Sequence, residues 1–146
     1  MASSYSDNLK IELITDGEQA GSWGSTTNTN WEMIEAAVSA KQIVNITTDK
    51  TSSSPQDIAL ADGDKTNTGG RAFIELTDNG DKGATQHFRL TPESAERIIY
   101  VKNSLTTQAA KVFQTTSFDE SQDVQIENGD AAILYFAGWG AASAVS

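Results

Sequence analysis

His87 is the one histidine of the chain, and a Ser–His–Asp hydrolase would have to use it as its general base. It stands in the strand-like run "QHFRL", and no nucleophile-elbow pattern occurs in the sequence. The expectation is a strand side chain making an ordinary hydrogen bond. Zinc would find one imidazole and no thiolate, so carboxylates alone would have to complete its shell. The acidic turns, Asp62 to Asp64 and Asp78 to Asp81, place carboxylates around a glycine in a way that can suit calcium. Neither continues into a twelve-residue loop ending in a bidentate glutamate, and Asp-Gly and Asn-Gly are also preferred pairs in tight turns. "NTGGR" and "AGWGAAS" lack the lysine and following helix of a phosphate-binding loop. Asn45-Ile46-Thr47 matches a glycosylation acceptor by chance composition. The residues therefore nominate no catalytic group, no metal site and no cofactor.

Composition narrows the partners. The chain has 146 residues, a formal charge of −10 and 38% apolar residues, with Ser, Thr, Asn, Asp and Gly abundant. That length suits one domain, and the thin apolar content suits short strands joined by many turns, with a core that a second chain would help complete. No run of Lys or Arg exists to neutralise phosphates, which excludes an electrostatic nucleic-acid binder. Cysteine is absent, so no disulfide or thiolate site forms. "MASSYSDNLK" is no secretory signal, and no apolar run is long enough for a membrane helix.

The elements that would position any site follow from periodicity. Residues 1–8 read as a polar arm, and "LKIELI" (9–14) alternates as a half-buried strand. Thr29 and Glu32 have the spacing of a capping box, and Trp31, Ile34 and Val38 form an apolar stripe, which predicts a helix from about Asn30 to about Ala40. From residue 43 the sequence turns to short apolar runs: "IVNIT", "DIAL", "RAFIELT", "HFRL", "RIIYV", "AKVFQT", "DVQIE" and "AAILYF". Turn-rich links such as "ADGDKTNTGG", "DNGDKG", "NSLTTQ" and "ENGD" separate them. The fold class read from this pattern is mainly β, a small antiparallel β-sandwich or barrel of about eight short strands with one short N-terminal α-helix. Residues 1–42 form an attachment or oligomerisation element, and residues 43–146 form the β-sandwich-like domain. "TPESAE" (91–96) reads as one helical turn capped by Thr91.

The stretch "GEQAGSWGSTTNTNWEMI" resembles a recurring element of tailed-bacteriophage virion proteins, of the form G-x-x-A-G-x-W-G-x-x-x-N-x-N-[FW]-x-x-[IL]. It matches at Gly17, Ala20, Gly21, Trp23, Gly24, Asn28, Asn30, Trp31 and Ile34. "RIIYVKNSLT" and "NGDAAILYFAGWG" are more weakly similar to downstream stretches of such proteins, with Ala137 where that pattern commonly has Asp. In the residue reading, Gly21 and Gly24 let the backbone fold closely around Trp23, and Asn28 and Asn30 satisfy backbone groups where loop becomes helix. Trp31 supplies apolar area on the helix face, either to its own subunit's core or to an interface.

The resemblance implies a non-enzymatic virion component made in the host cytoplasm, a homotrimer that contacts capsid or tail proteins. It leaves two placements, a tail or fibre component and a capsid-surface decoration, knob or head fibre. The alternative from another class is a carbohydrate- or receptor-binding β module for host recognition. There Tyr135 and Trp139 would be the exposed aromatics that meet a host-surface glycan.

Overall fold

A computed structural model describes residues 3–138 and 142–144. Each apolar run expected downstream of residue 42 is a strand. They are β3 (Lys41–Ile46), β4 (Gln56–Ala59), β5 (Phe73–Asp78), β6 (Gln86–Thr91), β7 (Glu96–Asn103), β8 (Ala110–Phe113), β9 (Val124–Ile126) and β10 (Ala131–Ala137). They are preceded by β1 (Ser4–Tyr5), β2 (Glu12–Leu13) and the helix α1 (Trp23–Ser39), and followed by β11 (Ala142–Ala144). The expected arm therefore contains a strand, and the strand expected over 9–14 is short, paired antiparallel with β1. The turn expected to be helical over 91–96 ends β6 and begins β7 instead.

Pairing departs from the antiparallel expectation. Strands β3, β5 and β7 lie parallel in a five-stranded sheet of order β11-β10-β7-β5-β3, and β4, β6 and β8 lie parallel in a four-stranded sheet of order β4-β6-β8-β9. The chain thus changes sheet at each link from β3 to β8 and returns parallel to the strand two before. Only then does it reverse, with β9 antiparallel to β8 and β10 antiparallel to β7. "DNGDKG" is consequently not a hairpin: it carries the chain from β5 in one sheet to β6 in the other. A link that crosses between sheets needs the same glycines and turn-forming Asn and Asp as one that doubles back, so local composition does not separate the two.

One core joins the sheets. Side chains alternate strictly along β7, with Ile99 and Val101 inward and Ile98 and Tyr100 outward. Register then stacks like upon like: Ile74 beside Val101 beside Ala132 in one sheet, and Phe88 beside Val112 beside Val124 in the other. These ladders meet in a single buried cluster that includes Ile46, Ile58, Leu90, Leu134 and Phe136.

The corners are held by buried amides, because a chain crossing between sheets leaves backbone groups with no strand partner. Asn67 closes on both backbone groups of Ala61, accepting from its N–H at 2.7 Å and donating to its carbonyl at 2.9 Å. Gln86 accepts from Lys50 N–H at 2.7 Å and donates to Ala84 O. Asn103 donates to Gln108 O and Ile126 O, each at 2.9 Å, and accepts from Leu105 N–H at 3.0 Å. Gln114 donates to Ala95 O and accepts from Gly138 N–H.

The first turn of this coil has free edges on β3 and β4, and unpaired edges invite association. The edge of β4 is covered. Gln56 donates to the adjacent Asp57 O, Thr68 accepts from Ala59 N–H, and Gly69 N–H donates to Ala59 O. A Cβ at Gly69 would lie 3.1 Å from Ile58 O and from Leu90 Cδ1, tighter than most such contacts, so glycine eases the close approach. On β3, Gln42 donates to Ile43 O in the same manner.

The helix differs from expectation in extent. It begins at Trp23, after Ser22, which makes no side-chain cap. Thr29 and Glu32 therefore lie inside the helix rather than forming a capping box, and Glu32 instead accepts from Lys65 Nζ at 2.7 Å. Gln19 supports the first turns by linking Glu12 to Thr26. The C-terminus passes almost directly into β3, and Ala36 O accepts from both Ala40 N–H and Ala72 N–H.

Candidate functional site

The motif residues divide into a face that anchors α1 and a face that looks outward. Anchoring comes from Asn30, whose amide accepts from Glu12 N–H at 2.9 Å and donates to Glu12 O at 2.8 Å, serving both backbone groups of a β2 residue. Met33 and Ala36 are the helix residues that become buried. Trp23 is 61% exposed, Trp31 63% and Val38 76%. With half-buried Ile34 they fall within about 80° of the helix circumference at ~100° per residue, which makes one apolar stripe on the outside.

Neither tryptophan fills the core of its own subunit. Asn28 is exposed and does not serve the helix start. Gly21, at φ +88°, turns the chain into the helix. A Cβ added at Gly21 or Gly24 would meet nothing within 4 Å, so the backbone does not close tightly around Trp23.

A second apolar surface lies on the outer face of the five-stranded sheet. Phe73 pairs with Tyr100 and Tyr100 with Ile133, while Ile98 pairs with Tyr135 in the next row. The Phe73 and Tyr100 rings stack with centroids 4.8 Å apart and planes 19° from parallel. Ile98 is 64% exposed, and Tyr100, Ile133 and Tyr135 also face solvent. Lys41 reaches over the Phe73 ring and pairs with Glu75, which also accepts from Ser104. Hydrogen bonding from Lys41, then from Ser104, holds the Glu75 carboxyl below its ordinary range. Tyr135 thus sits at the margin of this face, some distance in sequence from the helix motif; Trp139 lies outside the described residues.

Sequence reasoning missed Phe73, Tyr100, Ile98 and Ile133 as a surface. The signal was present in "RIIYV" and "AAILYF", which are apolar at consecutive positions. A strand with one wet face alternates, whereas a continuous apolar run marks a strand with both faces covered.

The groups that suggested chemistry are engaged structurally. His87 Nδ1 lies 3.2 Å from Lys50 O, its backbone N–H donates to the same carbonyl, and its ring meets Phe118 edge-on. Asp64 accepts from the Thr66 hydroxyl and N–H, and these bonds hold its carboxyl below the usual value. Asp78 binds the Thr106 hydroxyl and N–H, and Asp81 binds the Thr107 hydroxyl. Each acidic turn thus has a carboxylate bound to local hydroxyl or N–H donors. Among the described residues, no group of three or more His, Asp or Glu side chains is placed to hold a metal ion.

Several open clefts indent the surface, and one of about 390 Å³ lies between Ser52, Ser53, Arg89, Thr116 and Phe118. Its cation is already committed, since Arg89 makes a two-pronged pair with Asp57 at 2.8 and 3.1 Å and donates to Thr116 O. Among the described residues, most of the large exposed apolar side chains gather in two surfaces, the helix stripe and the sheet face. Comparison with family models, with curated proteins and with solved structures found no match to this chain.

Proposed function

We propose that the chain is a non-enzymatic structural component of a tailed-phage virion. In this reading it is a small homotrimeric capsid-surface decoration or a tail or fibre protein, with α1 as its oligomerisation or attachment element. The observation that carries the reading is the outward stripe of Trp23, Trp31 and Val38 on a helix whose inner face buries only Met33 and Ala36. Two tryptophans held in water by an ordered helix are costly unless another surface covers them, and aromatic anchors of this kind concentrate binding energy at interfaces. The resemblance of the same stretch to phage virion proteins supplies the biological setting. The engagement of His87 and of the acidic turns in local bonds is consistent with a role that involves no turnover.

Light scattering on the purified protein tests the assembly. The expected mass is three times the 15.6 kDa of one chain, falling to the single-chain value in Trp31→Glu. A monodisperse monomer at every concentration would overturn the trimer. Antibody labelling of purified particles tests the setting, and confinement of the chain to the soluble fraction of infected cells would refute a virion role. Glycan binding that is lost in Tyr135→Ala, with the assembly intact, would instead favour the host-recognition module.

A further inference from the structure

We infer that the apolar stripe of α1 in one copy docks on the outer face of the five-stranded sheet in a neighbouring copy, over Phe73, Tyr100, Ile98 and Ile133. The inference rests on the oligomeric reading above and names the partner surface that this reading leaves open. It starts from the presence, on one chain, of two uncovered apolar surfaces of different shape. One is a helix stripe with Trp31 and Val38 exposed; the other is a sheet face on which Phe73, Tyr100 and Ile133 form a continuous row across three strands. A helix stripe and an apolar sheet face are the two halves of a standard packed layer.

Within one chain they do not meet. The helix turns Met33 and Ala36 toward its own subunit and leaves the stripe outside. The apolar runs in β7 and β10 point the same way, because outward Ile98, Tyr100 and Ile133 belong to strands built as if both faces were covered.

Charge adds one complementary pair to the match of shapes. Exposed Glu35 borders the stripe, and Lys102 stands one outward place beyond Tyr100 on the sheet face; Glu32 is already paired with Lys65, and Lys41 with Glu75. A second copy therefore offers Glu35 to Lys102 as well as an apolar stripe to an apolar face. The contact joins unlike surfaces, so it is heterologous, and it closes when the copies form a ring. Three copies is the ring that the proposed function calls for.

The absence of cysteine makes the test direct. Single variants Val38→Cys and Ile133→Cys change exposed side chains, and Ala59→Cys on the other sheet serves as the control. Circular dichroism checks that each variant is folded, and light scattering checks that each keeps the wild-type mass. Each variant is oxidised alone and in pairwise mixtures, and the products are separated on a non-reducing gel. The expected result is a cross-linked dimer in the Val38→Cys plus Ile133→Cys mixture, about tenfold above the mixture with Ala59→Cys, because docking raises the local thiol concentration. Efficient linkage of Val38→Cys to itself, with none to Ile133→Cys, would overturn the docking and leave the oligomer standing as a helix-to-helix assembly. A wild-type oligomer that yields no cross-link above the control would also overturn the docking. A wild-type monomer throughout would overturn both the docking and the oligomeric reading.

Discussion

Replacing Asn103 by alanine removes a side chain that serves three backbone groups at once, at the corner where β7 ends and the chain crosses toward β8. Asn103 is fully buried, and two of those groups belong to buried residues, Leu105 and Ile126. Leu105 N–H has the Asn103 carbonyl oxygen as its partner, and a buried donor left without one costs about 1–3 kcal/mol. Ile126 O adds a similar penalty, reduced where a second donor shares the carbonyl. Gln108 O lies in a partly exposed residue and recovers a water, so its loss adds roughly 0–1 kcal/mol. The terms add to about 2–7 kcal/mol, with a middle value of ~4 kcal/mol, a large share of the ~5–15 kcal/mol that holds a domain folded. In urea, with a slope of ~2 kcal/mol/M, the midpoint of Asn103→Ala should fall by about 2 M relative to wild type. The measurement is equilibrium unfolding followed by circular dichroism, at one fixed protein concentration so that association does not enter the comparison. A loss below about 1 kcal/mol at unchanged slope would refute the claim that buried amides hold the corners, since the orphaned groups would then have found other partners.

Three further substitutions probe separate features. Gly24→Ala should raise stability by about 0.5–1 kcal/mol in the same urea experiment, because position 24 is helical and a Cβ there meets nothing; a loss would show that the site is not open. Arg97 is 7% exposed; among the described residues its Nη1 has no partner, and its Nη2 donates a long 3.4 Å bond to Arg71 O. Burial pushes its guanidinium pKa down, so Arg97→Met should be neutral or stabilising by ~1–3 kcal/mol, and a melting temperature lowered by several degrees would reveal an ion partner. At Asp78, partial burial works to raise the carboxyl pKa, but the hydroxyl and N–H of Thr106 and the N–H of Gly80 outweigh it and hold the group low. A carboxyl whose folded value is depressed contributes stability above its ordinary value near ~4 and loses it as pH falls through the folded value. Wild-type urea midpoints should therefore drop between about pH 5 and pH 3 more steeply than those of Asp78→Asn, and parallel profiles would remove Asp78 from the acid response.

The strands were legible because inward alternation is a property of each segment alone. Ile99 and Val101 announce β7 whichever strand lies beside it. Pairing was not legible, because register between β3 and β5 depends on residues some thirty positions apart, and "DNGDKG" serves a crossing as well as a hairpin. The helix start escaped for a related reason. Ser22 begins α1 without a side-chain capping bond, while Thr29 and Glu32 reproduce the spacing of a cap inside a helix that is already running. Asn30 was singled out, but its partner, the backbone of Glu12, comes from a strand that periodicity placed without a neighbour.

The least legible property was which side of each element faces water. Apolar periodicity gives α1 a stripe, and the ordinary inference sends the largest side chains inward. Here small Ala36 and flexible Met33 pack inside, and Trp31 and Val38 remain outside. In β7 the buried pair is apolar as expected, but outward Ile98 and Tyr100 are also large and largely apolar. A hydrophobic pattern records every surface the chain covers, including those covered by other chains. Two elements that each carry more apolar area than one subunit buries are therefore consistent with a pattern written for the assembly, and they account for the helix stripe and the sheet face by one cause instead of two.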